Sequence, residues 1–487
     1  MRRWPTASAQ SRRPLLSAQT SPKAVARRWP HPRLMHTGSM VIGDIMMSSI
    51  VPQLPVSPYK FYRPDARLIE IAARGALLLD YWDVPLADAA TDGAEFGFRD
   101  EVYWFYKSAR PITKPERGAA DLLERRDSSV PRLPSGFATE CTLSMGVAGD
   151  LIQAEGLERS KNVLFSNVAD VLFEKDLSFA NYESVVAQDD VVNEALGDGR
   201  SFTMCCTKEQ YLTLTRHKDK RFTVLNTANN HTFDLDLAGL EATQKLLEQD
   251  GIVNTGTPQH ADEHGRGTIL TIKGIKIGFV SAAFGIRKFQ LPPDERHRIH
   301  VAKLCSKHVA PELELLNRQI ADCKMRGCDF IVGSLHWGWE FEFFPRESQI
   351  EAAHALVEAG VDLILGHHPH VIQPLEFYRT KRDPNRIAVI AYSLGSTTFG
   401  WFTAPHMMLS LLLDLELSKG FLEGARRTYI SVAKPIPVFR HPFMQNGKLL
   451  MRLEKLADHV TARGRIPPSV QKMDEYAKLV LGNSYAP

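Results

Sequence analysis

Short apolar runs alternate with longer segments of helical periodicity between residues 141 and 392. This alternation constrains the chain to an α/β fold, in which helices cover a largely parallel sheet. Lys273-Gly274 separates two of the runs as a hairpin turn, so we expect a mixed sheet. The predicted strands are Cys141–Ala148, Leu177–Ala180, Phe222–Leu225, Thr268–Ile272, Lys276–Ala282, Asp329–Leu335, Val361–Leu365 and Ile387–Tyr392. The predicted helices are Asn162–Phe173, Leu235–Asp250, Pro311–Arg326 and Arg346–Ala359.

The composition is that of a globular protein: of 487 residues, 44% are apolar and 24% are charged. These values exclude a disordered, collagenous or small disulfide-stapled chain. The six cysteines include no C-x-x-C pair, so we expect free thiols. The predicted parts are a basic disordered leader at 1–43, a loop-rich N-terminal extension at 44–140, the α/β domain at 141–415 and a C-terminal extension at 416–487, where Leu449–His459 has a helical pattern.

Positive charge is concentrated at the start of the chain. The net charge is +3, but eight basic residues precede the first acidic one, Asp44, and without them the net charge is −5. A mildly acidic body gives no reason to expect a nucleic-acid partner, because nucleic-acid binding depends on clustered positive charge.

The basic leader has no apolar core, so we expect no Sec signal peptide. Its Arg-rich and Ser-rich composition is typical of an organellar transit peptide, but five prolines interrupt the amphipathic helix of such peptides. A disordered leader, or a gene start placed too early with Met35 or Met40 as the later start, is the alternative. No apolar stretch approaches the ~20 residues that span a bilayer. We therefore expect no integral membrane segment and a cytoplasmic protein, with organellar import as the alternative.

Polar side chains follow five of the predicted strands, where an open α/β sheet forms its ligand site. The candidate metal ligands among them carry carboxylate, amide or imidazole groups. They are Asp150, Glu183, Asn230, His336, His368 and His370. Oxygen and nitrogen ligands without thiolate favour Mn²⁺, Zn²⁺ or iron. Each residue alone is compatible with a structural role, but five strand ends together predict a metal site.

Three further polar residues are open to interpretation, two of them in more than one way. Glu340 is either a partner of a metal-bound histidine or a solvated loop acid. Asp234 directly precedes a predicted helix, which favours a capping role. Arg287 lies on a predicted loop and either contacts an anionic substrate or has no specific partner.

Six motifs resemble the CapA family, the poly-γ-glutamate capsule synthesis proteins. The resemblance covers residues 141 to 400, and the family is regarded as a branch of the calcineurin-like metallophosphoesterases. It implies a four-layer α/β sandwich with a two-metal centre, flanked here by N- and C-terminal extensions. The motifs are Gly149-Asp150, Ala180-Asn-Tyr-Glu183, Ala228-Asn-Asn-His-Thr-Phe-Asp234, His336-Trp-Gly-Trp-Glu340, Gly366-His-His-Pro-His-Val371 and Tyr392-Ser-Leu-Gly395.

The resemblance also implies roles for the site residues. Asp150 is the ligand of the first motif and, with His231, one of the two residues expected to be catalytic. Glu183 takes the place of the bridging carboxylate, and Asn230 is the amide ligand. His231 resembles the histidine that protonates a leaving oxygen. The imidazole ligands are His336, His368 and His370, and the residues expected around the ligands or the substrate are Asn181, His367, Glu340 and Gln373.

Two positions depart from the motifs of these families. The superfamily has Asp-x-His in its first motif, whereas Leu151 and Ile152 follow Asp150 here. The centre is therefore expected to hold one or two divalent ions. The usual Ser-Leu-Gly-Asn ends in Ser396.

The resemblance predicts a metal-dependent hydrolase that acts on a phosphoester or on a polyglutamate-type amide. Its substrate would be an anionic small molecule or a polyglutamate-like chain. The alternative is a non-catalytic, metal-binding assembly subunit of a polymer synthase, with synthase subunits as partners. A third reading is a phosphate-binding sensor.

Overall fold

The computed structural model describes residues 54, 65–124, 130–192, 203–400, 404–461 and 465–485. The predicted leader at 1–43 lies outside these residues. The described chain is an α/β sandwich in which two mixed sheets pack face to face, so the predicted fold class is confirmed.

The strands are longest at the two ends of the α/β region, where β1 and the C-terminal strands pair. In chain order they are β1 (Ala138–Leu151), β2 (Leu177–Tyr182), β3 (Val185–Val186), β4 (Cys205–Cys206), β5 (Arg216–His217), β6 (Lys220–Arg221), β7 (Val224–Asn226), β8 (Val253–Thr255), β9 (Thr268–Ile272), β10 (Ile275–Ala283), β11 (Phe330–His336), β12 (Leu363–His367), β13 (Leu375–Arg379), β14 (Ile387–Ala391), β15 (Ser396–Thr398), β16 (Leu409–Leu422), β17 (Ala425–Gln445) and β18 (Lys448–Lys455).

The first sheet has the order β18-β17-β16-β1-β2-β7-β8, and β15 also pairs with β1. Strands β1, β2, β7 and β8 are parallel, whereas β16, β17 and β18 are antiparallel to their neighbours. The second sheet has the order β13-β14-β12-β11-β10-β9, with antiparallel strands at both edges. The predicted hairpin between β9 and β10 is confirmed. Lys273 and Gly274 have φ values of 48° and 75°, as a two-residue turn of this kind requires.

Helices cover the outer faces of both sheets, which gives four layers. The α-helices are Ala66–Leu78, Phe98–Ala109, Arg117–Glu124, Ala169–Leu172, Lys208–Thr215, Asp236–Gln249, Glu314–Met325, Glu347–Ala359, Pro405–Met408, Leu456–Val460 and Pro468–Leu481. Short 3₁₀ helices are Leu157–Ser160, Ala261–Glu263, Pro293–Arg298 and Gly482–Ser484.

The main core lies between the two sheets. Phe179 of β2 and Phe279 of β10 stack there with ring centroids 5.9 Å apart, and both are fully buried. A second apolar cluster packs Leu316, Ile320 and Leu356 against the outer face of the second sheet. Burial on both faces explains why the central strands are continuous apolar runs rather than alternating ones.

The chain beyond residue 415 continues the first sheet. Strand β16 pairs with β1 along most of its length, and β17 pairs with β16. Pro435 and Pro437 lie in the part of β17 that pairs with β16 alone, so their missing N–H groups fall on a sheet edge, where proline is tolerated. The helical reading of Leu449–His459 is wrong for its first part, which is strand β18, and right for Leu456–Val460.

Two other segments differ from the sequence prediction. The predicted helix Asn162–Phe173 is a series of turns that ends in the four-residue helix Ala169–Leu172. The N-terminal extension was predicted to be rich in loops, but its described residues include three helices, one of which is Ala66–Leu78. The cysteines are free thiols, as predicted. In the part of the chain that is described, no helix has the length and apolar character required to cross a bilayer.

Two buried histidines make the fold sensitive to acid. Burial lowers the pKa of His406 and that of His300 to about 3. The unfolded chain binds these protons near pH ~6.5, so their contribution to stability is complete above that pH and is lost as the pH falls toward the folded pKa. We expect each to lower the free energy of unfolding by about 2 kcal/mol between about pH 8 and about pH 5.

Urea unfolding of wild type and His406→Phe at the two pH values tests this expectation. The aromatic replacement keeps a ring beside Phe341 and Tyr476 but removes the titrating group. The variant should lose about 2 kcal/mol less on acidification than wild type does. An equal loss in both proteins would show that His406 does not contribute.

Candidate metal centre

Two rows of polar residues meet at the carboxyl ends of the parallel strands. In the first sheet, strand register aligns Asp150 with Asn181, and Asn181 with Asn226. In the second sheet, His336 is aligned with His367. All five side chains are fully buried. The site is therefore built by register, because each residue ends its strand at the same level of the sandwich.

Asp150 is enclosed by donors. Asn181 donates to its Oδ1 at 2.8 Å, and the backbone N–H of His368 donates to Oδ2 at 3.3 Å. The Nδ1 atoms of His367 and His370 lie 3.3 and 3.5 Å from the carboxylate. Burial raises the pKa of Asp150, but hydrogen bonding to His367 and His370 outweighs it and holds the pKa well below its usual range. Asp150 is therefore an anion in the folded protein.

The carboxylate of Glu183 is buried without hydrogen bonds that would compensate for its loss of contact with water. Neither of its carboxylate oxygens accepts a hydrogen bond from a described residue, and its side chain is fully buried. Burial, and next the charge of Asp150, raise the pKa of Glu183 well above its usual value. The nearest nitrogen partners are Nε2 of His336 at 3.5 Å and Nε2 of His231 at 4.0 Å from Oε1.

Two sets of potential ligand atoms share Glu183. In one set, Asp150, Glu183 and His336 have ligand atoms within 4.8 Å of one another, and in the other Glu183, His368 and His370 do. A carboxylate common to two sets is the arrangement of a residue that bridges two cations.

His336 connects the two sheets across the site. Its Nε2 lies 2.9 Å from Oδ1 of Asn230, and its Nδ1 lies 3.3 Å from the amide nitrogen of Asn181. Burial lowers the pKa of His336 well below its usual value, so the ring is neutral. A neutral imidazole is the form that binds a metal ion. Asn230, Glu183 and His336 thus present oxygen and nitrogen atoms to one point.

The Gly366–Val371 loop turns three imidazoles toward the site through an unusual backbone. His368 and His370 have φ values of 94° and 55°, in the left-handed region that side chains other than glycine rarely adopt. Burial lowers the pKa of His368 well below its usual value. The Nδ1 atom of His370 lies 2.8 Å from the hydroxyl of Ser396, the residue that replaces the usual asparagine. Backbone strain of this kind clusters at functional sites.

The ring of His231 is oriented by Asp234, which binds the ring nitrogen that is turned away from Glu183 and forms an ion pair with Arg287. Its Nδ1 donates to Oδ2 of Asp234 at 2.6 Å, and Arg287 donates to Oδ1 of Asp234 at 2.9 Å. Asp234 also accepts from the backbone N–H of Met204 at 2.8 Å. The predicted capping role of Asp234 is wrong, because the helix begins at Asp236 without a side-chain cap and the carboxylate is used by His231. Arg287 has a specific partner in Asp234.

Glu340 and Gln373 lie at different distances from the cluster. Oε1 of Glu340 is 3.7 Å from Nε2 of His370, and its other oxygen accepts from the indole N–H of Trp104. Gln373 is buried, but among the described contacts its amide donates to the backbone oxygen of Glu342 at 2.9 Å and not to a residue of the cluster. The structure therefore places Glu340 beside a candidate ligand, whereas Gln373 makes no hydrogen bond to a candidate ligand among the described residues.

Four residues that contact the site were not predicted from the sequence. Asn226 donates to Oδ1 of Asn181 at 2.8 Å, and Thr91 lies 3.1 Å from Nε2 of His368. Trp104 and Ser396 contact Glu340 and His370 as described above. Asn226 directly follows the predicted strand Phe222–Leu225, so its position at a strand end is a signal for it. Nothing in the sequence distinguishes Thr91 or Trp104, because their partners are more than 200 positions away along the chain.

The donor set fits one or two divalent cations. A buried carboxylate without a hydrogen-bond partner is costly, since an uncompensated buried charge is destabilising by several kcal/mol. A cation at Glu183 would compensate that charge, and neutral imidazoles with carboxylate and amide oxygens are the ligands of Mn²⁺, Zn²⁺ and iron. The buried acidic and imidazole groups are therefore able to hold a metal ion.

Comparison with known proteins gives one family for most of the sandwich. Residues 144–400 match the family model described as "Bacterial capsule synthesis protein PGA_cap". The chain is 29% identical to the "PGA biosynthesis protein CapA" of Bacillus subtilis (strain 168) over 314 residues, which is 62% of this chain and 76% of the relative.

Two further relatives match shorter parts. The "Capsule biosynthesis protein CapA" of Bacillus anthracis is 27% identical over 274 residues, which is 53% of this chain and 61% of that protein. A "Probable polyglutamine synthesis accessory protein" of Mycobacterium tuberculosis (strain ATCC 25618 / H37Rv) is 27% identical over 159 residues, which is 32% of this chain and 41% of that protein. Thr91 and Trp104 precede the residues that match the family model.

Proposed function

The chain belongs to the bacterial capsule synthesis protein family PGA_cap, and on this premise we propose that it is a divalent-metal hydrolase of polyglutamate metabolism. The substrate class is an anionic phosphoester or a polyglutamate-type amide. The names of the relatives from Bacillus subtilis and Mycobacterium tuberculosis support a role connected with such polymers.

The observation that carries the proposal is the pairing of a buried acid with an oriented imidazole. Neither carboxylate oxygen of buried Glu183 accepts a hydrogen bond from a described residue, and Nε2 of His231 lies 4.0 Å from its Oε1. Neither feature stabilises a structural core, because burying a carboxylate without a partner is destabilising. A cation and a substrate that arrive together would satisfy both groups.

The proposed ligands are Asp150, Glu183, Asn230, His336, His368 and His370. One or two bound divalent cations would supply Lewis-acid chemistry at the phosphoryl or carbonyl group that is attacked. Asp150 remains anionic because His367, His370 and the backbone N–H of His368 surround it. Asn181 fixes the carboxylate of Asp150, and Asn226 fixes Asn181 in turn.

His231 is the proposed general acid. Asp234 holds the proton of Nδ1, so the second nitrogen, Nε2, is directed at the site. In the doubly protonated ring Nε2 also carries a proton, and from that position it would transfer this proton to the oxygen or nitrogen that leaves when the ester or amide bond breaks, which returns the ring to its neutral form. His231, and next Arg287, hold the pKa of Asp234 below its usual value against the effect of burial, and the hydrogen bond from Arg287 keeps Asp234 in place. General acid catalysis of this kind contributes about 10² to 10⁴ in rate.

Hydrolysis assays with full-length protein test the proposal. We expect Mn²⁺-dependent turnover of p-nitrophenyl phosphate esters or of γ-linked glutamate oligomers, with loss of turnover in excess EDTA and in Asp150→Asn. An exposed acid, Glu174, offers a matched control, because Glu174→Asn should leave turnover unchanged. Turnover that persists in both EDTA and Asp150→Asn would refute the assigned site.

A non-catalytic role is the second candidate, and the first motif supports it. Ile152 stands where the superfamily has a histidine, and its side chain is fully buried. An assembly subunit of a polymer synthase would bind metal at the same residues without turnover. Co-purification with synthase subunits, together with no hydrolysis of either substrate class at saturating Mn²⁺, would establish this role and exclude the first.

A further inference from the structure

Thr91, in the N-terminal extension, contacts two loops of the metal centre at once. Its hydroxyl donates to the backbone oxygen of Gly338 at 2.9 Å and lies 3.1 Å from Nε2 of His368. Gly338 belongs to the loop after β11 and His368 to the loop after β12. Thr91 is 6% exposed, so water is almost excluded from both contacts.

The hydroxyl of Thr91 has one proton, and the acceptor of that proton decides which ring nitrogen of His368 is protonated. When it is donated to the oxygen of Gly338, Thr91 Oγ1 can only accept from His368, and Nε2 must then carry a proton. The reverse arrangement would leave two oxygen acceptors 2.9 Å apart with no proton between them. A neutral imidazole with a proton on Nε2 has its lone pair on Nδ1. That atom is buried and has no hydrogen-bond partner among the described residues.

We infer that Thr91 is a positioning residue that fixes the tautomer of His368 and so presents Nδ1 as the ligand atom for a cation. This inference rests on the proposed function only in that a cation is the partner of Nδ1. It assigns a role to a residue outside the part of the chain that matches the family. Partners of metal-bound histidines act in this way, and their loss costs about 10-fold to 100-fold in metal affinity.

The surroundings hold Thr91 in place. Ala90, its neighbour, donates its backbone N–H to Oδ1 of Asp100 at 2.8 Å, and the indole of Trp339 donates to the backbone oxygen of Ala89 at 2.8 Å. Arg346 donates to the backbone oxygen of Leu86 at 3.0 Å. Together with the hydrogen bond from Thr91 to Gly338, the contacts of Trp339 and Arg346 attach the segment 86–91 to the chain between 338 and 346 at three points. The branched side chain of Thr91 also has few rotamers.

The first test compares Thr91→Val with Thr91→Ser in the full-length chain. Valine keeps the shape and removes the hydroxyl, whereas serine keeps the hydroxyl. Mn²⁺ and Co²⁺ dissociation constants are measured by titration calorimetry, and thermal unfolding without metal shows whether each variant folds. We expect about 10-fold to 100-fold weaker binding in Thr91→Val and wild-type binding, within about 3-fold, in Thr91→Ser. Wild-type affinity in Thr91→Val, or equal losses in both variants, would overturn the inference.

The second test needs no metal. Nitrogen-15 spectra of histidine-labelled, metal-free protein report which ring nitrogen carries the proton, and the signal of His368 is identified by its absence in His368→Gln. We expect a proton on Nε2 in wild type and in Thr91→Ser, and a mixture of tautomers in Thr91→Val. A proton on Nδ1 in wild type would overturn the inference. Absence of metal binding in wild type that has the expected tautomer would refute the proposed function and leave the tautomer assignment standing.

Discussion

Replacing Glu183 by glutamine is expected to abolish stabilisation of the protein by divalent cations and, at the same time, to make the metal-free protein more stable. The side chain of Glu183 is buried, and neither oxygen accepts a hydrogen bond from a described residue. Because burial raises its pKa, the metal-free fold holds this group either charged or protonated, and at neutral pH both states cost stability. Glutamine has nearly the same shape and no charge. A cation bound at 1,000 times its dissociation constant adds about 4 kcal/mol to the wild-type free energy of unfolding, and the variant lacks its proposed bridging ligand.

Denaturant unfolding with and without Mn²⁺ measures both effects on one pair of proteins. Wild type should gain about 4 kcal/mol with the metal, whereas Glu183→Gln should gain almost nothing. Without metal, the order of stability should reverse at neutral pH, because holding Glu183 in the fold costs several kcal/mol whether the group stays charged or takes up a proton, and glutamine carries neither cost. Glu174→Gln, at an exposed position, should behave as wild type in both conditions. A variant that is less stable than wild type in the absence of metal would show that Glu183 has an uncharged structural role.

Replacing His231 by alanine is expected to lower kcat by about 10² to 10⁴ while metal affinity changes little. His231 is held by Asp234 and faces Glu183 from 4.0 Å, so it is placed to transfer a proton but is not a proposed ligand. The loss should depend on the leaving group. A p-nitrophenolate leaves readily without a proton, whereas an alkoxide does not, so an alkyl ester should suffer the larger loss.

Steady-state kinetics on matched p-nitrophenyl and alkyl esters, with parallel Mn²⁺ titrations, test the role of His231. His260→Ala provides the control, because His260 is exposed. Equal losses on both esters would argue against proton transfer by His231. A large fall in Mn²⁺ affinity would instead place His231 among the ligands.

Much of the fold follows from local pattern. The strand Thr268–Ile272 has the predicted bounds, and the helices Asp236–Gln249 and Glu347–Ala359 lie within one residue of prediction at their starts.

 The helix Glu347–Ala359 also ends where predicted, because Gly360 follows it with a φ of 138°. Parallel strands also bring their carboxyl ends together, so the positions of Asp150, Glu183 and His336 at strand ends predict that they are neighbours.

Other features depend on contacts that no local pattern records. The strand β17 contains Pro435 and Pro437, which argue against a strand unless its edge position is known. Asp234 precedes a helix, and a carboxylate at that position has the same pattern whether it caps the helix or binds a histidine. Thr91 reaches His368 across 277 positions of the chain. Its role emerges only from the three-dimensional arrangement.

Anomalous diffraction from Mn²⁺-soaked crystals of the full-length protein locates bound ions without assuming any reaction, so it tests the assigned metal centre itself. We predict one or two strong peaks, each about 2.0 to 2.3 Å from protein ligands, with the carboxylate of Glu183 nearest and nitrogen atoms of His336 and His368 beside it. Saturating Mn²⁺ that produces no peak within about 3 Å of Glu183 would show that the assigned residues do not hold a cation.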